Sequence, residues 1–238
     1  MDVTNAIKSR FSARSFLGRP VAKSTVKEIL RQASYAPSGA NMQPWKVHAI
    51  SGEALQNLVE SALASARQGF TEEQEYPTYP SPLPEPFSTR RFETGMGLYR
   101  ALGIERSDRA GREIQLLENF RFFGAPVGLI FTLNKIFVPG QLGDLGMFIQ
   151  NVMLLCRHYG LHSCPQGAWQ LVNQTVHREL GIPDQDMIYC GMALGYADDV
   201  HPANTFQPPR IPLEEFADFS GFDDKSNTAA PQRGPFAQ

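Results

Sequence analysis

The chain has too few cysteines for a disulfide framework and too little charge of one sign for a polyelectrolyte binder. Only Cys156, Cys164 and Cys190 occur in 238 residues. Their number is odd and their spacing suits no metal site, so they read as reduced thiols packed in the core of a cytoplasmic protein. With 22 basic and 24 acidic side chains the formal net charge is −2. That balance argues against long-range attraction to nucleic acid or a membrane surface and leaves only local clusters. The longest apolar stretch, Leu145 to Cys156, is interrupted by Gln150 and Asn151 and is too short to span a bilayer. The opening Met1-Asp2-Val3-Thr4-Asn5 offers neither the basic region nor the apolar core of a secretory signal. No internal repeat is found. His48, His158, His162, His177 and His201 lack metal-ligand spacing, and no Ser-His-Asp or Cys-His arrangement stands out. No metal is therefore expected.

What remains is a 42% hydrophobic chain, enough to bury the core of one mixed α and β domain with insertions. Periodicity predicts helices over Thr4 to Ser9, Thr25 to Tyr35, Gly52 to Arg67, Glu93 to Gly103, Asp108 to Arg121, Leu142 to Tyr159 and Gln170 to Leu180. Thr25 and Glu28 stand at capping-box spacing. Strands are expected over Trp45 to Ile50, Pro126 to Leu133 and Met187 to Tyr196, and a loop over Leu161 to Gly167. The helix from Leu142 is apolar on most sides, as in a helix buried between layers or between subunits. Residues 76–87 hold five prolines and three aromatics and form neither a regular helix nor a central strand. Such an insertion, within residues 69–105, is expected to be a folded cover. The polar stretch 220–238 is expected to be a tail, disordered or wrapped over a neighbour.

Two short segments carry chemistry. Arg10-Phe11-Ser12-Ala13-Arg14 puts two guanidiniums and a hydroxyl at alternate positions, which face one way in an extended chain. Guanidinium grips phosphate in bidentate fashion, although such a segment alone is more often a solvated loop. Pro37-Ser38-Gly39-Ala40-Asn41-Met42-Gln43-Pro44-Trp45 is ordinary turn chemistry carrying two amides.

At this spacing the pair resembles the nitroreductase family of flavin enzymes. Three further segments agree: the helix Leu142 to Leu154, the turn Pro165-Gln166-Gly167-Ala168-Trp169, and the late strand Cys190 to Tyr196. The resemblance covers residues 4–220. It implies an α+β fold with a mostly antiparallel central sheet flanked by helices, and an intertwined homodimer with FMN at two interface sites. Arg10, Ser12 and Arg210 would hold the FMN phosphate, and Arg14 would lie by N1 and O2 of the ring. Asn41 and Gln43 would meet the polar ring edge, in part across the dimer. Pro165 would shape the turn, and the N–H groups of Gln166 and Gly167 would meet N5 and O4. Phe11 stands where many relatives have arginine, and Gln166 where well-known ones have glutamate. A second ring-contacting lysine has no clear counterpart, Lys46 being the nearest.

The implied activity is NADPH- or NADH-dependent reduction of nitroaromatics by a ping-pong mechanism through flavin N5, with Arg14, Gln166 and Gly167 as the catalytic group. Residues 76–128 also resemble a bacterial subgroup active on bulky nitroaromatics. Tyr76, Tyr79, Phe87 and Tyr99 offer flat faces expected either to stack over an aromatic substrate or to pack the insertion onto the body, and the subgroup resemblance adds Phe206 to the substrate wall. The rival readings are flavin or quinone reduction, dehalogenation, flavin cleavage, and a flavin-binding protein without catalysis.

Overall fold

The computed structural model describes residues 1–222, so most of the expected tail, 220–238, lies outside the described residues. The chain builds an antiparallel sheet around its longest strand, β5 (Asp186–Ala197). On one edge β5 pairs with β3 (Val127–Asn134), which pairs with β2 (Trp45–Ser51). On the other edge lies β4 (His162–Gln166), and the two-residue β1 (Phe16–Leu17) joins the far end of β5. Residues of β3 and β5 are buried almost without a break because helices cover both faces.

One face packs on α3 (Gly52–Arg67) and α7 (Asn173–Leu180), with Trp169, Phe120 and Ile130 at its centre. The other packs on α2 (Lys23–Ala33) and α6 (Leu142–His158), with Leu129, Phe131 and Phe148. α1 (Val3–Ser9) lies against α6. α4 (Phe87–Ala101) and α5 (Arg109–Leu117) form the excursion before β3, and the short α8 (Pro202–Thr205) follows β5. Among the described residues no helix is long and apolar enough to cross a membrane, and no cluster of His, Cys, Asp and Glu is suited to a metal.

Several boundaries differ from expectation. α2 starts at Lys23, so Thr25 is already inside it; Glu28 binds Arg31 and Gln32 instead of closing a capping box. α4 begins at Phe87 rather than Glu93. The helix expected over Asp108 to Arg121 ends at Leu117 and continues as a 3-10 segment, in which Phe122 and Phe123 turn left-handed (φ 49° and 53°). The expected loop at Leu161 to Gly167 is largely strand β4. The helix expected from Gln170 starts at Asn173, after a 3-10 turn over Gly167–Val172.

Candidate active site

β4 explains the geometry of the arginine segment. Ser12 bridges to Ser163 in parallel fashion, and the Ala13 N–H donates to the Ser163 carbonyl at 3.2 Å. The segment is thereby extended along the outer edge of β4, and its residues alternate. Ala13 is fully buried, while the Phe11 ring lies 5.0 Å from His162. Arg10, Ser12 and Arg14 face the opposite way and line one cavity of about 400 Å3 together with Phe206 and Arg210. Phe11, where many relatives carry arginine, packs against His162 and gives the cavity an apolar border, so the cations come from the alternate positions.

That cavity is cationic. Burial lowers the Arg10 pKa below the ordinary arginine value, and the Arg210 charge lowers it further. Among the described residues none of Arg10, Arg14 and Arg210 forms an ion pair. Two guanidiniums that disfavour each other in a partly buried cleft suit an anion shared between them. The Arg210 guanidinium is steadied by the carbonyls of Pro208 and Pro209, at 2.8 and 3.2 Å.

Arg14 also lines a second cavity, of about 650 Å3, bounded by Pro165, Gln166, Gly167 and the cover residues Thr78, Tyr79 and Leu83. Both volumes fall within or near the roughly 300–1,000 Å3 usual for small-molecule sites. The turn at its floor is rigid. The Gln166 side chain donates to the Asn119 carbonyl (2.7 Å) and accepts from the Trp169 indole (3.3 Å), so it is consumed in the fold. The Gln166 N–H lies against the buried Cys190 thiol. Gly167 opens a 3-10 turn, whose first N–H groups find no acceptor within it. A Cβ at Gly167 would stand 3.0 Å from the Thr78 methyl, which shows how closely the cover approaches.

Sequence reasoning missed Asn204. It is buried, accepts from the Arg14 N–H at 2.7 Å, and donates to the carbonyls of Ser15 and Asp198 at 2.9 and 2.8 Å. It ties the arginine segment to the turn after β5 across 190 positions of sequence. No local pattern announces such a residue.

The amide loop is elsewhere. Asn41 and Gln43 are exposed, at φ 56° and 48°, and line neither cavity. The loop rides on α6: the Gly39 N–H donates to Asp144 (3.1 Å), and Trp45 stacks on Phe148 with ring centroids 4.9 Å apart. Lys46 is paired with the buried Asp186 at 2.7 Å and takes no part in the site.

The expected aromatic wall is only partly assembled. Tyr79 lines the larger cavity, with the Arg91 guanidinium 4.1 Å above its ring. Tyr76 does not: it stacks on Tyr189 and gives its hydroxyl to the Tyr189 carbonyl, and burial raises its pKa. It belongs to the anchor of the cover. There Glu72 accepts from Ser65, Gln174 and Thr175, and Glu75 accepts from the Ile188 N–H at 2.7 Å. Phe87 is exposed, and neither it nor Tyr99 lines either cavity. Phe206 lines the arginine cavity and packs on Gly97, where a Cβ would fall 2.3 Å from its ring. Beyond Gln74 lies a further polar cavity of about 740 Å3, lined by Glu73, Glu75 and Asp184, of which Glu75 is already held by Lys135 and His177.

A cationic cleft joined by one arginine to a chamber with a glycine turn, on an antiparallel sheet clad by helices, suits a flat, phosphate-bearing ligand. The model of the nitroreductase family matches residues 7–196, and the chain belongs to that family. It is 40% identical over 221 residues to the nitrobenzene nitroreductase of Ectopseudomonas oleovorans, spanning 91% of this chain and 96% of that protein. It is 41% identical over 220 residues to the chloronitrobenzene nitroreductase of Comamonas testosteroni, with the same two coverages of 91% and 96%. Among solved structures, the FMN and NADPH-dependent nitroreductase NfnB from sphigopyxis sp. strain HMH superposes with a TM-score of 0.91 at 41% identity. That match covers 93% of this chain and all 100% of the other.

Proposed function

We propose that this protein is an FMN-dependent NAD(P)H oxidoreductase that reduces nitroaromatic compounds, acting in the cytoplasm as a homodimer with FMN at two interface sites. The observation that carries the reading is the position of Arg14, the residue common to the cationic cleft and the covered chamber. The named activities of the relatives supply the cofactor, the donor and the substrate class.

When bound, FMN would supply two-electron hydride chemistry between the nicotinamide and the acceptor. The chain's own residues do the rest. Arg10, Ser12 and Arg210 hold the phosphate, which relieves the mutual repulsion of the two guanidiniums. Arg14 sets a fixed positive charge beside N1 and O2, where negative charge develops during reduction. The Gly167 N–H meets the N5 and O4 edge; the Gln166 N–H, turned toward Cys190, serves the shape of the turn. Asn41 and Gln43 reach the ring edge across the dimer. Tyr79, Leu83 and Leu116 exclude water and hold the acceptor's ring. Donor and acceptor occupy one chamber in turn, which makes the kinetics ping-pong. The nitro group gains hydride and a proton and loses water to give the nitroso compound; a second round gives the hydroxylamine.

The test is spectroscopic. The purified protein should be yellow, bleach anaerobically with NADPH or NADH, and recover its colour on adding nitrobenzene. A colourless preparation that takes up no FMN, or a bound flavin that neither nicotinamide reduces, would refute the proposal.

A further inference from the structure

The larger cavity carries a second cation whose purpose the reaction does not supply. Its lining includes Arg14 and Arg91 and contains no aspartate or glutamate. Arg91 stands on α4 beside Arg90, yet the two have different partners. Arg90 is paired with Glu215 at 2.9 Å, whereas among the described residues Arg91 forms no ion pair. Instead its guanidinium lies over the Tyr79 ring, 4.1 Å from the centroid. Stacking on a tyrosine face restrains a long side chain while leaving the in-plane N–H fork free to bind a carboxylate with two hydrogen bonds. The rest of that wall is apolar or neutral, with Leu83, Leu116 and Asn119. A cation in such surroundings, unopposed by any acid, attracts anionic ligands and is little rewarded by neutral ones.

We propose that Arg91 is a specificity residue that receives an acidic ring substituent, so that the preferred acceptors are nitroaromatic carboxylates of the nitrobenzoate class. This rests on the function proposed above, with the nitro group toward the Gly167 turn and the carboxylate toward the cover. Tyr79 positions the guanidinium, and the chamber between turn and α4 takes the ring.

The experiment compares the parent with Arg91→Gln and Arg91→Lys, using 4-nitrobenzoate and nitrobenzene as acceptors at saturating NADPH. The parent should favour 4-nitrobenzoate in kcat/KM. Arg91→Gln should lose roughly 10- to 100-fold on 4-nitrobenzoate, the usual worth of a charge-assisted hydrogen bond, and far less on nitrobenzene. Arg91→Lys should recover part of the loss. As a readout independent of turnover, benzoate, which is not reduced, should perturb the spectrum of the bound flavin with a Kd that rises in Arg91→Gln by a similar factor. Equal losses on both acceptors, an effect confined to the KM for NADPH, or an unchanged benzoate Kd would overturn the assignment. Failure of the underlying reading looks different: the parent itself would not turn over nitrobenzene, while the benzoate titration would still decide whether Arg91 binds carboxylate.

Discussion

At the scale of single residues, the site depends on one position with no side chain. Gly191 in β5 lies beside Gln166 of β4 and beneath the Trp169 indole, where a Cβ would fall 2.1 Å from Cδ1. The indole cannot swing aside. It is fully buried, stacked on Phe122 at 4.5 Å and edge-on to Phe120 at 5.5 Å, and its N–H donates to the side-chain amide oxygen of Gln166. Gly191→Ala should therefore overpack the core by about 1–3 kcal/mol and tilt the turn that carries Gly167. We expect a lowered Tm together with weaker FMN retention, both partly restored when Trp169→Phe makes room. A Gly191→Ala protein with the parent's Tm and flavin content would show that the turn is not set by this contact.

At the scale of elements, β4 and the arginine segment beside it form a unit with a built-in dependence on acid. His162 opens β4, packs against Phe11, and faces Arg157, whose guanidinium is 3.2 Å from the imidazole Nδ1; Asp199 is the opposing charge. Burial first, and then the Arg157 charge, lower the His162 pKa from 6.5 to about 4. A base whose folded pKa is depressed is neutral in the fold and charges more readily when unfolded. Its contribution is complete above about pH 6.5 and is lost as pH falls toward about 4. The Tm should fall over that window, and less steeply in His162→Asn, which keeps an acceptor toward Arg157 but cannot charge. Superimposable Tm profiles for the two proteins would remove His162 from the acid response. The same strand marks the limit of what periodicity can read. β3, β5 and α6 are legible because their apolar runs or helical spacing are long. β4 is not, since Pro165 and four polar or sulfur-bearing neighbours resemble a loop, and only pairing with β5 makes it a strand. The expected helix after Asp108 breaks because Phe122 enters the space above Gly128, a contact set by tertiary packing. Among site residues, the alternation of Arg10, Ser12 and Arg14 was readable locally. The anchoring of Tyr76 by Tyr189 and of Arg14 by Asn204 was not, because each partner is more than a hundred positions away.

At the scale of the molecule, the single chain holds the parts proposed for the flavin site in two places. The cations, the glycine turn and the cover meet around Arg14, whereas Asn41 and Gln43 stand exposed on a loop fixed to α6. The proposed homodimer, formed through the α6 face, would reunite them, and that face displays apolar groups. Tyr35 is 82% exposed and Val3 66% exposed, bordering a groove lined by Leu154 and Leu155. Apolar groups so displayed on neighbouring helices are a feature of subunit contacts, and a stable one buries upward of about 1,000 Å2. If the amides act across such a contact, assembly and flavin binding must fail together. Tyr35→Glu combined with Leu154→Glu places charge in the groove without touching any flavin contact within the chain. The parent should migrate at twice the 26.5 kDa chain mass, and the double variant should become monomeric and lose its FMN at the same protein concentration. The secondary structure should survive, because both positions lie on the surface of helices or turns already packed from within. A monomeric variant that still held one FMN per chain would mean that Arg10, Arg14, Arg210 and the Gly167 turn suffice alone, leaving Asn41 and Gln43 without a role in binding.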